Sequence, residues 1–180
     1  MRITGGKYRG LTVEVPKGGL DIRPAMDRMR ESVFAVLGDL TGLSFLDLFS
    51  GSGIVALEAA SRGAAPVACV EKDPGKFSLL LRNVSIASER IECKSMPAER
   101  FLLRNKRPFS IVFCDPPFPY RYRVGLLESL GKGESSAAGG LVLMHYPAED
   151  PPPESIGALV TADEREYGRS HVRFYRRSAR

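Results

Sequence analysis

Apolar and polar positions change period along this chain. Short apolar runs at Ser44–Phe49, Pro66–Glu71, Ile91–Lys94, Ser110–Cys114 and Gly140–His145 read as strands. Near-continuous apolar runs of this length suit strands covered on both faces. Between them lie stretches with helical spacing. A helix is expected from about Ser52 to Arg62, stopped by Gly63. The next runs from about Pro74 to Ala87, with Phe77, Leu80, Leu81 and Val84 on one face. Ala98–Arg104 and Tyr122–Leu130 complete the series. Strict strand–helix alternation predicts a parallel sheet with right-handed crossovers and helices on both faces.

The two ends differ. Leu159–Glu164 and His171–Arg177, joined by Tyr167-Gly168-Arg169, read as an antiparallel hairpin. Residues 23–38 read as an amphipathic helix, with Pro24 in its first turn, Met26, Met29, Val33, Val36 and Leu37 on one face, and Gly38 as its stop. Residues 1–22 read as a small β-hairpin appendage, with strand-like Arg2–Thr4 and Leu11–Val15. Gly131–Gly140 and Pro147–Pro153 have loop composition. The expected architecture is α/β: a seven-stranded, mostly parallel sheet in a domain of residues 23–180, preceded by the appendage.

Composition narrows the class. At 180 residues, 43% hydrophobic and 26% charged, the chain suits one globular domain with a substantial core. A net charge of +5 favours an anionic partner such as nucleic acid. Cys69, Cys93 and Cys114 each lie in or beside a strand-like run and form no C-x-x-C pair, so buried free thiols are expected rather than a metal site or disulfide framework. No hydrophobic signal core follows Met1 and no apolar run reaches membrane length, so a cytoplasmic protein is expected.

The densest chemical signal is Ile111-Val112-Phe113-Cys114-Asp115-Pro116-Pro117-Phe118. The prolines lack an N–H and end the strand abruptly, leaving an acid at its carboxyl end, where open α/β sheets bind ligands. A nucleobase amino group is a poor nucleophile because its lone pair is delocalised. The Asp115 carboxylate and the Pro116 carbonyl offer two acceptors that can localise it, and Phe118 offers a ring to hold the base. These three are the candidate catalytic residues. His145 and His171 lie far from the acid along the chain and are expected to be structural.

Leu46-Asp47-Leu48-Phe49-Ser50-Gly51-Ser52-Gly53 is the cofactor signal: a strand enters a tight glycine turn that opens a helix. Glu71, at the end of the next strand, can accept both hydroxyls of a ribose. Gly51-x-Gly53-x-x-Ala56 also matches a dinucleotide fingerprint, so NAD competes. S-adenosylmethionine is favoured because Asp47 can meet a methionine amino group, because Asp115–Phe118 sits on the same sheet, and because the terminal hairpin suits a methyltransferase. Candidate cofactor contacts are Asp47, Phe49, Gly51, Gly53, Glu71, Met96 and Asp115. Candidate RNA contacts are Lys7 and Arg9 beside Tyr8, the cluster Arg23, Arg28 and Arg30, and the alternating Tyr120, Arg121, Tyr122 and Arg123.

Nearly the whole chain resembles the RsmD family of 16S ribosomal RNA guanine-N2 methyltransferases. The more specific parts are Gly5-Gly6-Lys7-Tyr8-Arg9-Gly10 and Arg23-Pro24-Ala25-Met26-Asp27-Arg28-Met29-Arg30-Glu31, followed by Phe45–Gly53, Leu57-Glu58-Ala59, Glu71-Lys72-Asp73 and Val112–Phe118. The resemblance implies a Rossmann-like class I fold, S-adenosylmethionine as cofactor, and a guanine of small-subunit RNA already partly assembled with ribosomal proteins. It departs at Ala25-Met26, where the family has Thr-Thr, and at Ser95-Met96, where many methyltransferases carry an acid near the adenine. Adenine recognition would then rest on backbone groups and Met96. The alternatives are an adenine-N6 or DNA-base amino methyltransferase and a non-catalytic RNA-binding protein on the same fold.

Overall fold

The structure, a computed structural model, describes residues 1–16 and 24–179. Helix α1 is Pro24–Leu37; Arg23 lies outside the described residues. Strand β1 (Phe45–Asp47) leads through the glycine turn to α2 (Ile54–Ser61), then β2 (Val67–Glu71), α3 (Pro74–Val84), β3 (Ile91–Ser95), α4 (Ala98–Arg104), β4 (Phe109–Cys114) and α5 (Arg123–Lys132). The antiparallel end comprises β5 (Ser136–Pro147), β6 (Ser155–Ile156), β7 (Leu159–Tyr167) and β8 (Ser170–Arg177).

These strands form one sheet in the order β3-β2-β1-β4-β5-β8-β7-β6. Pairing is parallel from β3 to β5 and antiparallel from β5 outward. Eight strands replace the expected seven: β6 is two residues long, too short to leave a hydrophobic pattern. The expected loop at 131–140 is also corrected. Strand β5 already begins at Ser136: Ser136 pairs with Phe109 and Leu141 with Ile111, so residues 137–140 of β5 bulge out opposite a two-residue step of β4. Small residues there support a bulged strand start rather than a free loop.

Side-chain alternation divides the core. Leu46, Ala68, Val70, Val112, Val142 and Met144 face α4 and α5. Phe45, Val67, Cys69, Ile111, Phe113 and Leu143 face the layer of α1, α2 and α3. Both faces are covered, which is why the central strands read as unbroken apolar runs. The N-terminal segment pairs through a single antiparallel bridge, Arg2 with Thr12, rather than a full hairpin ladder. It packs Ile3, Tyr8 and Val13 on Ile54 and Leu57 of α2. Among the described residues, no helix is long and apolar enough to cross a membrane.

The chain runs from β1 outward to β2 and β3, then returns to β4 on the other side of β1. The β1–β4 boundary is therefore a topological switch point, where a crevice opens at the carboxyl ends. Asp47 ends β1 in register with Phe113, and Asp115 follows β4 two residues later.

Candidate active site

A cavity of about 710 Å³ occupies that crevice. Phe49 and Gly51 of the glycine turn, Glu71, Met96, Asp115, Pro116, Phe118 and Tyr120 all line it. One concavity thus joins the cofactor candidates to the catalytic ones. Lys72, Lys76, Glu99 and His145 line it too, and Met26 reaches it from α1.

Asp47 is buried beside this cavity rather than part of its wall, and neither carboxylate oxygen has a hydrogen-bond partner among the described residues. Burial, and then the charge of Asp115, push its pKa up to about 8. A buried acid without a partner is costly unless something cationic meets it. Glu71 is held differently: one oxygen accepts the Gly51 N–H at 2.9 Å and the other the Asp73 N–H at 2.8 Å. Each oxygen keeps a second lone pair.

The two glycines differ. Both have positive φ, +51° at Gly51 and +82° at Gly53. A Cβ on Gly51 would enter open space, so Gly51 leaves room at the cavity. A Cβ on Gly53 would stand 2.5 Å from Leu80 Cδ1. Gly53 therefore serves the packing of α2 on α3, and it does not line the cavity as Gly51 does.

Asp115 is held by a residue the sequence reading set aside. Nδ1 of the buried His145 lies 2.7 Å from Asp115 Oδ1, and its Nε2 has no partner among the described residues. The Phe118 ring meets the imidazole edge-on at 5.3 Å. The expectation that His145 lies apart from the acid is corrected by register: Cys114 pairs with Met144, so the residues that follow them fall side by side. Sequence distance concealed this, since thirty residues and a helix separate the two.

Several RNA candidates are corrected. Arg30 is buried and donates to Asp27 at 2.8 Å, to Glu58 at 3.2 Å and to the Arg2 carbonyl at 3.1 Å. Arg123 is also buried, binding Asp150 and the Phe118 carbonyl, the latter at 2.5 Å. It fastens the loop that carries Phe118. Lys7 is exposed but bound to Glu89 at 2.6 Å, and Tyr8 belongs to the N-terminal core. Arg9, Arg28, Arg121 and Tyr122 are exposed. Tyr120 links Phe49 to Tyr122 by edge contacts of 5.3 and 5.8 Å, so an aromatic row leads from the cavity to solvent.

The switch-point cavity, the glycine turn and the mixed sheet define a class I S-adenosylmethionine-dependent methyltransferase. The family model described as conserved hypothetical protein 95 matches residues 1–176. The ribosomal RNA small subunit methyltransferase D of Escherichia coli is 38% identical over 130 residues, 71% of this chain and 63% of that protein, so the match spans less than two thirds of that relative. The Bacillus subtilis protein YlbH, named a candidate rRNA methyltransferase, is 27% identical over 98% of this chain and 99% of its own length. The solved structure of the E. coli protein yhhF superposes with a TM-score of 0.90 at 31% identity, covering 100% of this chain and 99% of that one. The chain belongs to this family, the RsmD family.

Proposed function

We propose that this protein transfers a methyl group from S-adenosylmethionine to the exocyclic N2 of one guanine in 16S ribosomal RNA, within an assembled or partly assembled 30S subunit. The reading is carried by one observation: a single cavity runs from Glu71 to the Asp115–Phe118 turn beside the unpartnered Asp47. The names of the family's relatives support the ribosomal substrate.

The residues present fit the cofactor. S-adenosylmethionine, when bound, supplies an electrophilic methyl on a sulfonium. The Asp47 carboxylate would take the methionine ammonium, Glu71 the ribose hydroxyls through its spare lone pairs, and Met96 the adenine. On the other side, the free oxygen of Asp115 and the Pro116 carbonyl accept the amino hydrogens and turn the nitrogen lone pair toward the methyl. Phe118 holds the base plane, fixed by Arg123 at its carbonyl. Positioning supplies most of the acceleration in such a displacement. The nitrogen then sheds one proton, for which the Asp115 carboxylate is the adjacent acceptor.

The test is transfer of labelled methyl to unmethylated 30S subunits, with naked 16S RNA and duplex DNA in parallel. Label in subunits and little elsewhere is expected, and Asp115→Ala should abolish it while leaving cofactor affinity within a few-fold. Label predominantly on DNA would overturn the substrate. An Asp115→Ala variant with normal turnover would overturn the role of the acid.

A further inference from the structure

We infer that His145 is a positioning residue for the methyl transfer: its Nδ1–H engages one oxygen of Asp115, so that the other is the single carboxylate acceptor presented to the target amino group. The inference rests on the reading above, that an amino group is methylated at Asp115.

The contact is short, 2.7 Å, and the imidazole is buried while the Asp115 side chain is only partly so. A carboxylate oxygen accepts, so Nδ1 is the donor in this contact. For a neutral ring the tautomer is thereby fixed by the acid, as with any imidazole whose second nitrogen follows from the bond the first makes. A carboxylate on its own can rotate about its last bond and present either oxygen. Once Oδ1 is taken, rotation would break a charge-assisted hydrogen bond. The Phe118 ring closes over the imidazole edge, so the acid, the histidine and the base-holding aromatic form one contact set.

None of this is required by the fold. A leucine or methionine would fill a buried position on β5 between Met144 and Tyr146 equally well. The histidine stands where parallel register brings it to the acid, and its ring is part of the cavity wall.

Two substitutions separate the donor from mere bulk. Asparagine places its amide nitrogen where Nδ1 stands, whereas glutamine reaches toward the Nε2 position and vacates the first. With 30S subunits and labelled S-adenosylmethionine, His145→Gln should lower kcat about 10–100-fold, the size of one charge-assisted hydrogen bond. Its dissociation constant for S-adenosylhomocysteine should stay within a few-fold of wild type. His145→Asn should recover kcat at least about tenfold above the glutamine variant. Equal kcat in the two variants, whether both high or both low, would overturn the role of the Nδ1 donor. So would a glutamine defect confined to cofactor affinity. Wild-type protein assayed alongside keeps the two proposals apart: wild type inactive on every substrate would sink the proposed function, whereas an active wild type with indifferent His145 variants would sink only this inference.

Discussion

Glu71 reaches back from the end of β2 to accept the backbone N–H of Gly51 at 2.9 Å. One carboxylate thereby fixes the glycine turn and stands in the wall of the cavity. Glu71→Gln should weaken S-adenosylhomocysteine binding about 10–100-fold, since an amide cannot accept from Gly51, Asp73 and a ligand together. Equilibrium titration checks this, and the defect should fall mainly in the KM for the cofactor.

Asp47 predicts a pH effect. Its pKa, raised by burial and then by Asp115 from 3.8 to about 8, leaves the folded protein holding a proton that the unfolded chain has already released. Stability should therefore fall as pH rises between those values. Asp47→Asn should flatten that decline in thermal melts of the cofactor-free protein. It should also weaken cofactor binding, because the amide cannot answer an ammonium. In wild type at pH 7, cofactor binding should release close to one proton, read as a buffer-dependent binding enthalpy in calorimetry. No buffer dependence would show that Asp47 is already ionised or not involved.

The glycine turn predicts two unlike alanine variants. Gly53→Ala drives a Cβ into Leu80 and should cost about 1–3 kcal/mol in urea unfolding. Part of that loss should return in the Gly53→Ala, Leu80→Ala double variant. Gly51→Ala meets no atom and should cost about 1–2 kcal/mol, from its left-handed backbone alone. Its larger effect should appear in cofactor affinity.

Glu58 joins three parts of the molecule. Fully buried on α2, it accepts from Thr4 N and Oγ1, both at 2.8 Å, and from Arg30 and Arg62. Glu58→Ala removes the buried counter-charge of Arg30, leaving it only the more exposed Asp27, and strips the acceptor from Thr4 and Arg62; it should cost about 3–5 kcal/mol in urea unfolding. A loss below about 1 kcal/mol, the usual worth of a surface pair, would contradict this account of the N-terminal attachment.

What the sequence disclosed, and what it hid, follows from distance. The glycine turn, Glu71 and Asp115–Phe118 are local patterns, and their residue types carry their chemistry. The central strands were legible because burial on both faces writes an unbroken apolar run. His145 was hidden because its meaning comes from the register of β4 against β5. Arg30 and Arg123 were misread because a helical arginine facing solvent and one tucked inward look alike until their partners are placed, the buried Glu58 for Arg30 and the loop residues Asp150 and Phe118 for Arg123. The start of β5 was missed because Ser136–Gly140 has a turn composition and joins the sheet only as a bulge in β5 opposite β4.

The most direct test of the central claim is the identity of the methylated nucleoside. Unmethylated 30S subunits would be treated with the protein and S-adenosylmethionine, the RNA digested, and the nucleosides resolved by mass spectrometry against standards. The account predicts N2-methylguanosine at one site, absent with Asp115→Ala. N6-methyladenosine, or methyl on a ring nitrogen or ribose, would contradict it.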